Sequence, residues 1–257
     1  MIRLLRLVRF GVILVWYAGR MSLSGFRLSE KERVRYVALL QQRGGLALCR
    51  SIGVNVELDG SYLENRPVLV VSNHLGLLDP WVLSSQFRVA FAAKIEMEAW
   101  PIFGWVGRST GLIYVDRERR MNTGGFVEKI RQRMRDGIGV LVFPEGTTNA
   151  TDDLLPFKTG GFAAVAGMPD GYVLPVFMWA KRINGVGTKR EERRRITWPE
   201  GDSMLKNAWG LVGMQSITIE VKVGDLISTA EKDRKRLAKM AQDQVEGLRR
   251  LTFVEGN

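Results

Sequence analysis

Two stretches of this chain, Val68-Leu69-Val70-Val71 and Val140-Leu141-Val142-Phe143, carry no polar residue at any position. A strand with one face in water alternates apolar and polar side chains, whereas a strand without polar positions has to be covered on both faces. Strands of that kind belong to sheets packed between helices, because parallel strands need a crossover element to return the chain. The intervening segments supply it. From Gly53 onward, apolar runs at residues 54–58, 68–72, 89–93, 112–115, 139–143, 173–179 and 216–223 are candidate strands. Helical patterns alternate with them after Asp79 and over residues 101–108, 126–135, 159–166 and 229–251. This predicts an α/β fold, a mostly parallel twisted sheet flanked by helices. The last candidate strand alternates Ile217, Ile219, Val221 and Val223, which points to an edge; residues 181–195, rich in Gly, Lys and Arg, point to an exposed loop.

The first 29 residues contain no acid, and Arg3, Arg6 and Arg9 recur at helical spacing beside Ile2, Leu5 and Phe10. The apolar run from Phe10 to Gly19 has ten residues, roughly 15 Å of helix against a hydrocarbon core about 30 Å thick. An interfacial amphipathic helix with Trp16 and Tyr17 at the headgroup boundary fits this pattern. A signal peptide, a tilted span and an ordinary core helix are the alternatives. Ser29 followed by Glu32 reads as a capping box opening a second helix, through Val34, Val37 and Leu40 towards Leu48 and interrupted by Gly44 and Gly45. The expected division is residues 1–52 as an N-terminal amphipathic two-helix membrane-binding segment and 53–257 as the α/β domain.

A formal net charge of +11 implies an anionic partner: nucleic acid, an acidic membrane surface or an acidic carrier protein. No zinc-finger or RNP-type motif supports nucleic acid. Cys49 is the one cysteine and His74 the one histidine, so no disulfide forms within the chain and a metal site has poor support. No phosphate-binding loop of the Gly-four-residues-Gly-Lys-Ser/Thr type is present. Gly107-Arg108-Ser109-Thr110-Gly111 matches the serine-hydrolase elbow, but the histidine precedes the serine and a strand, not a helix, follows.

The densest chemical signal is Ser72-Asn73-His74-Leu75-Gly76-Leu77-Leu78-Asp79-Pro80, directly after a buried strand, where α/β proteins place their sites. A histidine takes up a proton near neutral pH, and a carboxylate on its other ring nitrogen fixes the tautomer and stabilises the imidazolium. Asp79-Pro80 is also a favourable helix start, so capping is a second role open to Asp79.

These residues resemble the first block of the glycerolipid acyltransferase family typified by bacterial lysophosphatidic-acid acyltransferase, Asn73-His74 through Asp79. The second block resembles Gly111-Leu112-Ile113-Tyr114-Val115-Asp116-Arg117, the third Phe143-Pro144-Glu145-Gly146-Thr147-Thr148, and the fourth Val173-Leu174-Pro175-Val176; Pro156-Phe157-Lys158-Thr159-Gly160 matches as well. The resemblance implies an O-acyltransferase of phospholipid biosynthesis: 1-acylglycerol-3-phosphate O-acyltransferase, with His74 as general base on the acceptor hydroxyl, Asp79 orienting it, and no acyl-enzyme. It implies that Glu145, Gly146 and Thr147 lie beside the histidine and bind substrate together with Asn73 and Thr148, with Lys94, Arg117 and Lys158 as cations for a headgroup. No cofactor is expected beyond the co-substrate, an acyl carrier protein or coenzyme A thioester.

One departure stands out. Phosphatidic-acid-forming members usually carry arginine after the third block's Glu-Gly-Thr, and here that residue is Thr148. A Glu-Gly-Thr-Thr version resembles branches that acylate other lysolipids, including lyso-ornithine lipid. Trp81, Phe87, Trp100, Phe103 and Trp105 are candidates for an acyl tunnel or for plain core. The expected partners are a membrane lipid acceptor, the thioester donor and an anionic membrane surface. The expected place is the cytoplasmic face of the cell membrane, as a monotopic or peripheral protein. The reading from another class is a non-catalytic basic membrane-surface binding protein, for which His74 would be dispensable.

Overall fold

The computed structural model describes residues 1–61, 68–99, 101–115, 123–199 and 201–254. Helices α1 (Ile2–Ser24) and α2 (Glu30–Ser51) come first. The Ser29 backbone N–H donates to Glu32 Oε2 at 3.1 Å, so the expected capping box opens α2. α2 runs straight through Gly44 and Gly45 to Ser51. The two glycines are where other elements approach: a Cβ on Gly44 would lie 3.1 Å from the Tyr17 ring of α1, and one on Gly45 would lie 2.8 Å from the Trp81 carbonyl oxygen.

Strands β1 (Val54–Asp59) and β2 (Leu69–Ser72) are followed by α3 (Asp79–Gln86), β3 (Val89–Lys94), α4 (Pro101–Thr110), β4 (Ile113–Val115), α5 (Thr123–Arg135) and β5 (Gly139–Val142). Then come β6 (Tyr172–Ile183), β7 (Val186–Gly187), α6 (Arg190–Arg193), α7 (Met204–Val212), β8 (Ile217–Val223), β9 (Ile227–Ser228) and α8 (Arg234–Val254). The sheet order is β1-β8-β6-β2-β5-β3-β4, with β7 and β9 also paired to β6. The run from β6 to β4 is parallel; β8 pairs antiparallel with β6 and parallel with β1.

The all-apolar strands sit at its centre. On β2, Val70 faces one core, built with α2 and α3 through Cys49, Val82 and Leu83, while Leu69 and Val71 face the other, built with α5 and α8 through Ile130 and Leu237. Helices therefore cover both faces, as two wholly buried sides require.

Four expectations change. β8 is not an edge strand, since β1 lies outside it. Its alternation marks one polar face, where Glu220 and Lys222 pair with Lys181 of β6 and with Asp59 of β1. Residues 181–195 are partly ordered: β6 extends to Ile183 and turns through Asn184 and Gly185, both at positive φ (53° and 81°), into β7. Residues 159–166 form only a short 3-10 turn, Gly161–Ala164, entered through a glycine pair that disfavours a longer helix. α8 starts at Arg234 rather than 229, because Ile227–Ser228 pairs with β6 and Asp233 caps the backbone N–H groups of Lys235 and Arg236.

The expected basic stripe of α1 is also divided. Arg6 turns inward and donates to the carbonyl oxygens of Val212 (3.2 Å), Met214 and Gln215 (2.7 Å), filling acceptors at the end of α7. The Arg3 guanidinium lies over the Trp209 ring of α7 at 5.3 Å, and Arg9 remains exposed. No helix among the described residues is long and apolar enough to cross a membrane.

Candidate active site

The strand order puts the ends of β2 and β5 side by side at the carboxyl edge of the parallel sheet, and the loops leaving them build the site. His74 follows β2 after one residue. Its ring stacks on Phe143, which directly follows β5, with centroids 4.0 Å apart and planes 9° from parallel. His74 Nδ1 lies 2.6 Å from Asp79 Oδ2.

Asp79 is buried, and the same oxygen accepts the backbone N–H groups of Leu75 (2.6 Å) and Gly76 (2.9 Å). Its carboxylate thus bonds backwards to the histidine loop rather than forwards into α3, and the helix-capping role is not the one realised. With Nδ1–H given to an acceptor-only carboxylate, His74 Nε2 keeps a lone pair for a substrate proton.

Asn73 and Glu145 hold the histidine loop to its neighbours. Asn73 is buried, with its amide nitrogen donating to the Met178 carbonyl and its amide oxygen accepting the Met178 N–H, both at 2.9 Å. Glu145, 2% exposed, accepts the His74 N–H on one oxygen and the Leu155 N–H on the other, each at 3.0 Å. Burial pushes the Glu145 carboxyl above the usual range, against the pull of those N–H donors.

Gly146 has φ +76°, a backbone conformation that favours glycine, and the Lys158 side chain lies against it: a Cβ there would lie 2.5 Å from Lys158 Nζ. The Lys158 N–H donates to the Pro144 carbonyl at 2.8 Å, which places this residue along the third block. The Thr148 hydroxyl donates to the Trp198 carbonyl, and the Trp198 N–H donates to the Leu75 carbonyl at 3.0 Å. A Trp198 segment is thereby strapped across the histidine loop.

A cavity of about 1080 Å³ takes in His74, Gly146, Thr147, Thr148 and Lys158. Its remaining walls are mostly apolar: Leu14 of α1, Trp81 of α3, Phe91 of β3, Val106 of α4 and Leu211 of α7 are examples. Asn73 and Glu145 lie behind the histidine loop and do not line it. Of the tunnel candidates, Trp81 lines the cavity, whereas Phe87 is core and Trp105 lies elsewhere. Trp100, Arg117 and the side chains of Lys94 and Phe103 lie outside the described residues.

Sequence reasoning passed over Phe143 as the ring beneath His74 and missed the Trp198 strap altogether. Phe143 could have been found from its place one residue past an adjacent strand. No signal for Trp198 exists without the fold.

These features define a class: an α/β protein that presents a carboxylate-oriented histidine to a large apolar cavity at the edge of a parallel sheet. A family model described as Acyltransferase matches residues 53–179. The chain is 33% identical to the lyso-ornithine lipid O-acyltransferase of Brucella abortus (strain 2308) over 208 residues, 78% of each chain. It is 26% identical to the 1-acyl-sn-glycerol-3-phosphate acyltransferase of Neisseria meningitidis serogroup B over 212 residues, 82% of this chain and 80% of that one. The crystal structure of the 1-acyl-sn-glycerophosphate acyltransferase of Thermotoga maritima shares the fold, with a TM-score of 0.71 at 21% identity over 98% of this chain and 95% of that one. The chain belongs to the acyltransferase family of lysophosphatidic-acid and other lysolipid acyltransferases, and it is an O-acyltransferase.

Proposed function

We propose that this enzyme transfers an acyl chain from a thioester to the free hydroxyl of a lysolipid, with lyso-ornithine lipid as its preferred acceptor. His74 Nε2 removes the hydroxyl proton while the acceptor oxygen attacks the thioester carbonyl carbon. The carbon–sulfur bond breaks, and the proton passes from the imidazolium to the leaving sulfur, so no acyl-enzyme forms. Asp79 holds the imidazole and balances its transient charge. The donor is a thioester of acyl carrier protein or coenzyme A, and no further cofactor takes part.

The observation that carries this reading is the His74–Asp79 pair, 2.6 Å apart, with the buried Asp79 behind His74 and His74 on the wall of an apolar cavity of about 1080 Å³. That volume exceeds the roughly 300–1,000 Å³ of ordinary small-molecule pockets, which suits two chain-bearing substrates.

The acceptor assignment draws on Thr148. Its hydroxyl is engaged with the Trp198 carbonyl, so it braces a wall where an arginine would grip phosphate. The 33% identity to a lyso-ornithine lipid enzyme supports the same choice. A second reading, 1-acylglycerol-3-phosphate as acceptor, draws on the Lys158 ammonium beside Gly146 in the cavity. Both readings place the enzyme on the cytoplasmic face of the cell membrane, held by α1 and by attraction between its basic surface and anionic lipid.

A competition assay separates them: equal amounts of lyso-ornithine lipid and 1-acylglycerol-3-phosphate are offered with one labelled thioester donor. Preferential labelling of ornithine lipid is expected. Labelling of phosphatidic acid alone would replace the first reading with the second.

A further inference from the structure

Helix α7 has two apolar faces. Met204, Ala208 and Leu211 line the cavity that holds His74, while Leu205 (75% exposed) and Trp209 (49% exposed) point away from the protein. The same division exists on α1, where Leu7 and Leu14 line the cavity and Leu4, Val8 and Val12 are exposed.

The two helices are fastened together. Arg6 of α1 donates to three carbonyls at the end of α7, and Arg3 lies over Trp209. A Cβ on Gly213, just past α7, would lie 2.6 Å from Arg3 Nε, so the clasp is close-fitting. The outward apolar side chains of α7 therefore continue the surface begun by α1.

We propose that α7 is a second membrane-contacting helix, lying beside α1 in the bilayer interface with Leu205 and Trp209 entering the lipid. Three observations select a lipid surface as the occupant. The charge beside the patch is mostly cationic: α7 and the first 29 residues contain no acid, and Arg3, Arg9 and Lys206 are exposed, against one exposed acid just before α7, Asp202. Trp209 under a guanidinium is the amphipathic pairing favoured at headgroup level. The inner faces of both helices line the cavity assigned to acyl chains, so the outer faces adjoin the phase from which those chains come. That last point rests on the lysolipid reading; the first two do not.

The test uses the full chain and vesicles of phosphatidylcholine and phosphatidylglycerol without acceptor or donor, with partition measured by sedimentation. The double variant Leu205→Ser/Trp209→Ser is expected to lose vesicle binding by roughly tenfold or more, since two large apolar side chains no longer leave water. Its melting temperature and its transfer rate in detergent micelles stay near wild type. Leu251→Ser, exposed on α8 against the other core, is expected to bind as wild type does. Unchanged partition of the double variant would overturn the proposal. So would a wild-type dimer in solution that the double variant abolishes while vesicle binding persists, which would assign this surface to a second copy. Failure of the lysolipid reading would appear in the transfer assay and leave the partition result standing.

Discussion

The His74 backbone N–H donates to Glu145 Oε1 at 3.0 Å, so the loop after β2 hangs from a carboxylate in the loop after β5. The other oxygen of Glu145 holds the Leu155 N–H at 3.0 Å. Both oxygens are needed as acceptors, and protonation makes one of them a donor. Because burial lifts the Glu145 carboxyl, this occurs at a higher pH than for an ordinary glutamate. The sign for the fold is the opposite of the sign for activity. A carboxyl with a raised folded pKa binds its proton more tightly in the folded state, so acidification through that value favours folding on its account. Activity should therefore decline in mild acid before stability does. Glu145→Gln should remove this contribution and so change the shape of the acid limb and, with one buried N–H left unpaired, lose about tenfold in rate. Parallel rate and melting profiles from pH 7 downward check this.

Thr148→Arg tests the acceptor assignment. The substitution removes the hydroxyl that braces the Trp198 carbonyl and adds a guanidinium suited to phosphate. The ratio of kcat/KM for 1-acylglycerol-3-phosphate over lyso-ornithine lipid should rise by about ten- to a hundredfold, since one charge-assisted contact contributes roughly 1.5–3 kcal/mol. Thr148→Val, which loses only the brace, should lower both rates without changing the ratio.

Gly45→Ala tests the packing of α2 on α3. Its Cβ would lie 2.8 Å from the Trp81 carbonyl oxygen and 2.2 Å from Ser84 Oγ. The hydroxyl can rotate away but the carbonyl cannot, so a loss of about 1–3 kcal/mol is expected by chemical denaturation. Trp81 lines the cavity and packs edge-on against Phe10 at 5.7 Å, so the rate should fall as well.

Arg6→Met keeps the aliphatic stem and removes the bonds to Val212, Met214 and Gln215. Loss of these charge-assisted contacts should cost about 1.5–3 kcal/mol. Hydrogen exchange should rise at the end of α7 more than in α8.

The extent to which all this was legible in the sequence follows from the physics of each element. The central strands were readable because Leu69, Val70 and Val71 are buried on both faces, and full burial leaves no polar position. β8 was misplaced because alternation reports a polar face, here one of buried and ion-paired side chains, and says nothing about lateral neighbours. The Asn184-Gly185 turn had a local signature that was overlooked. α7 had a capping serine, Ser203, but apolar residues on both faces hide the helical period: Leu205 and Trp209 outside, Leu211 and Val212 inside. The Arg6 clasp joins residues more than 200 positions apart, and only the fold brings them together. His74 and Asp79 could be paired from the sequence because only four residues separate them, between the end of β2 and the start of α3. The roles of Asn73 and Glu145 as backbone anchors needed Met178 and Leu155 from elsewhere in the chain.

The most direct test of the central claim is the rate of acyl transfer to lyso-ornithine lipid by wild type and by His74→Ala, each shown to be folded by its melting curve. Loss of the general base predicts a fall of about 10²–10⁴-fold with an unchanged fold. A folded His74→Ala enzyme that retained its rate to within a few-fold would contradict the assignment of His74 as the base.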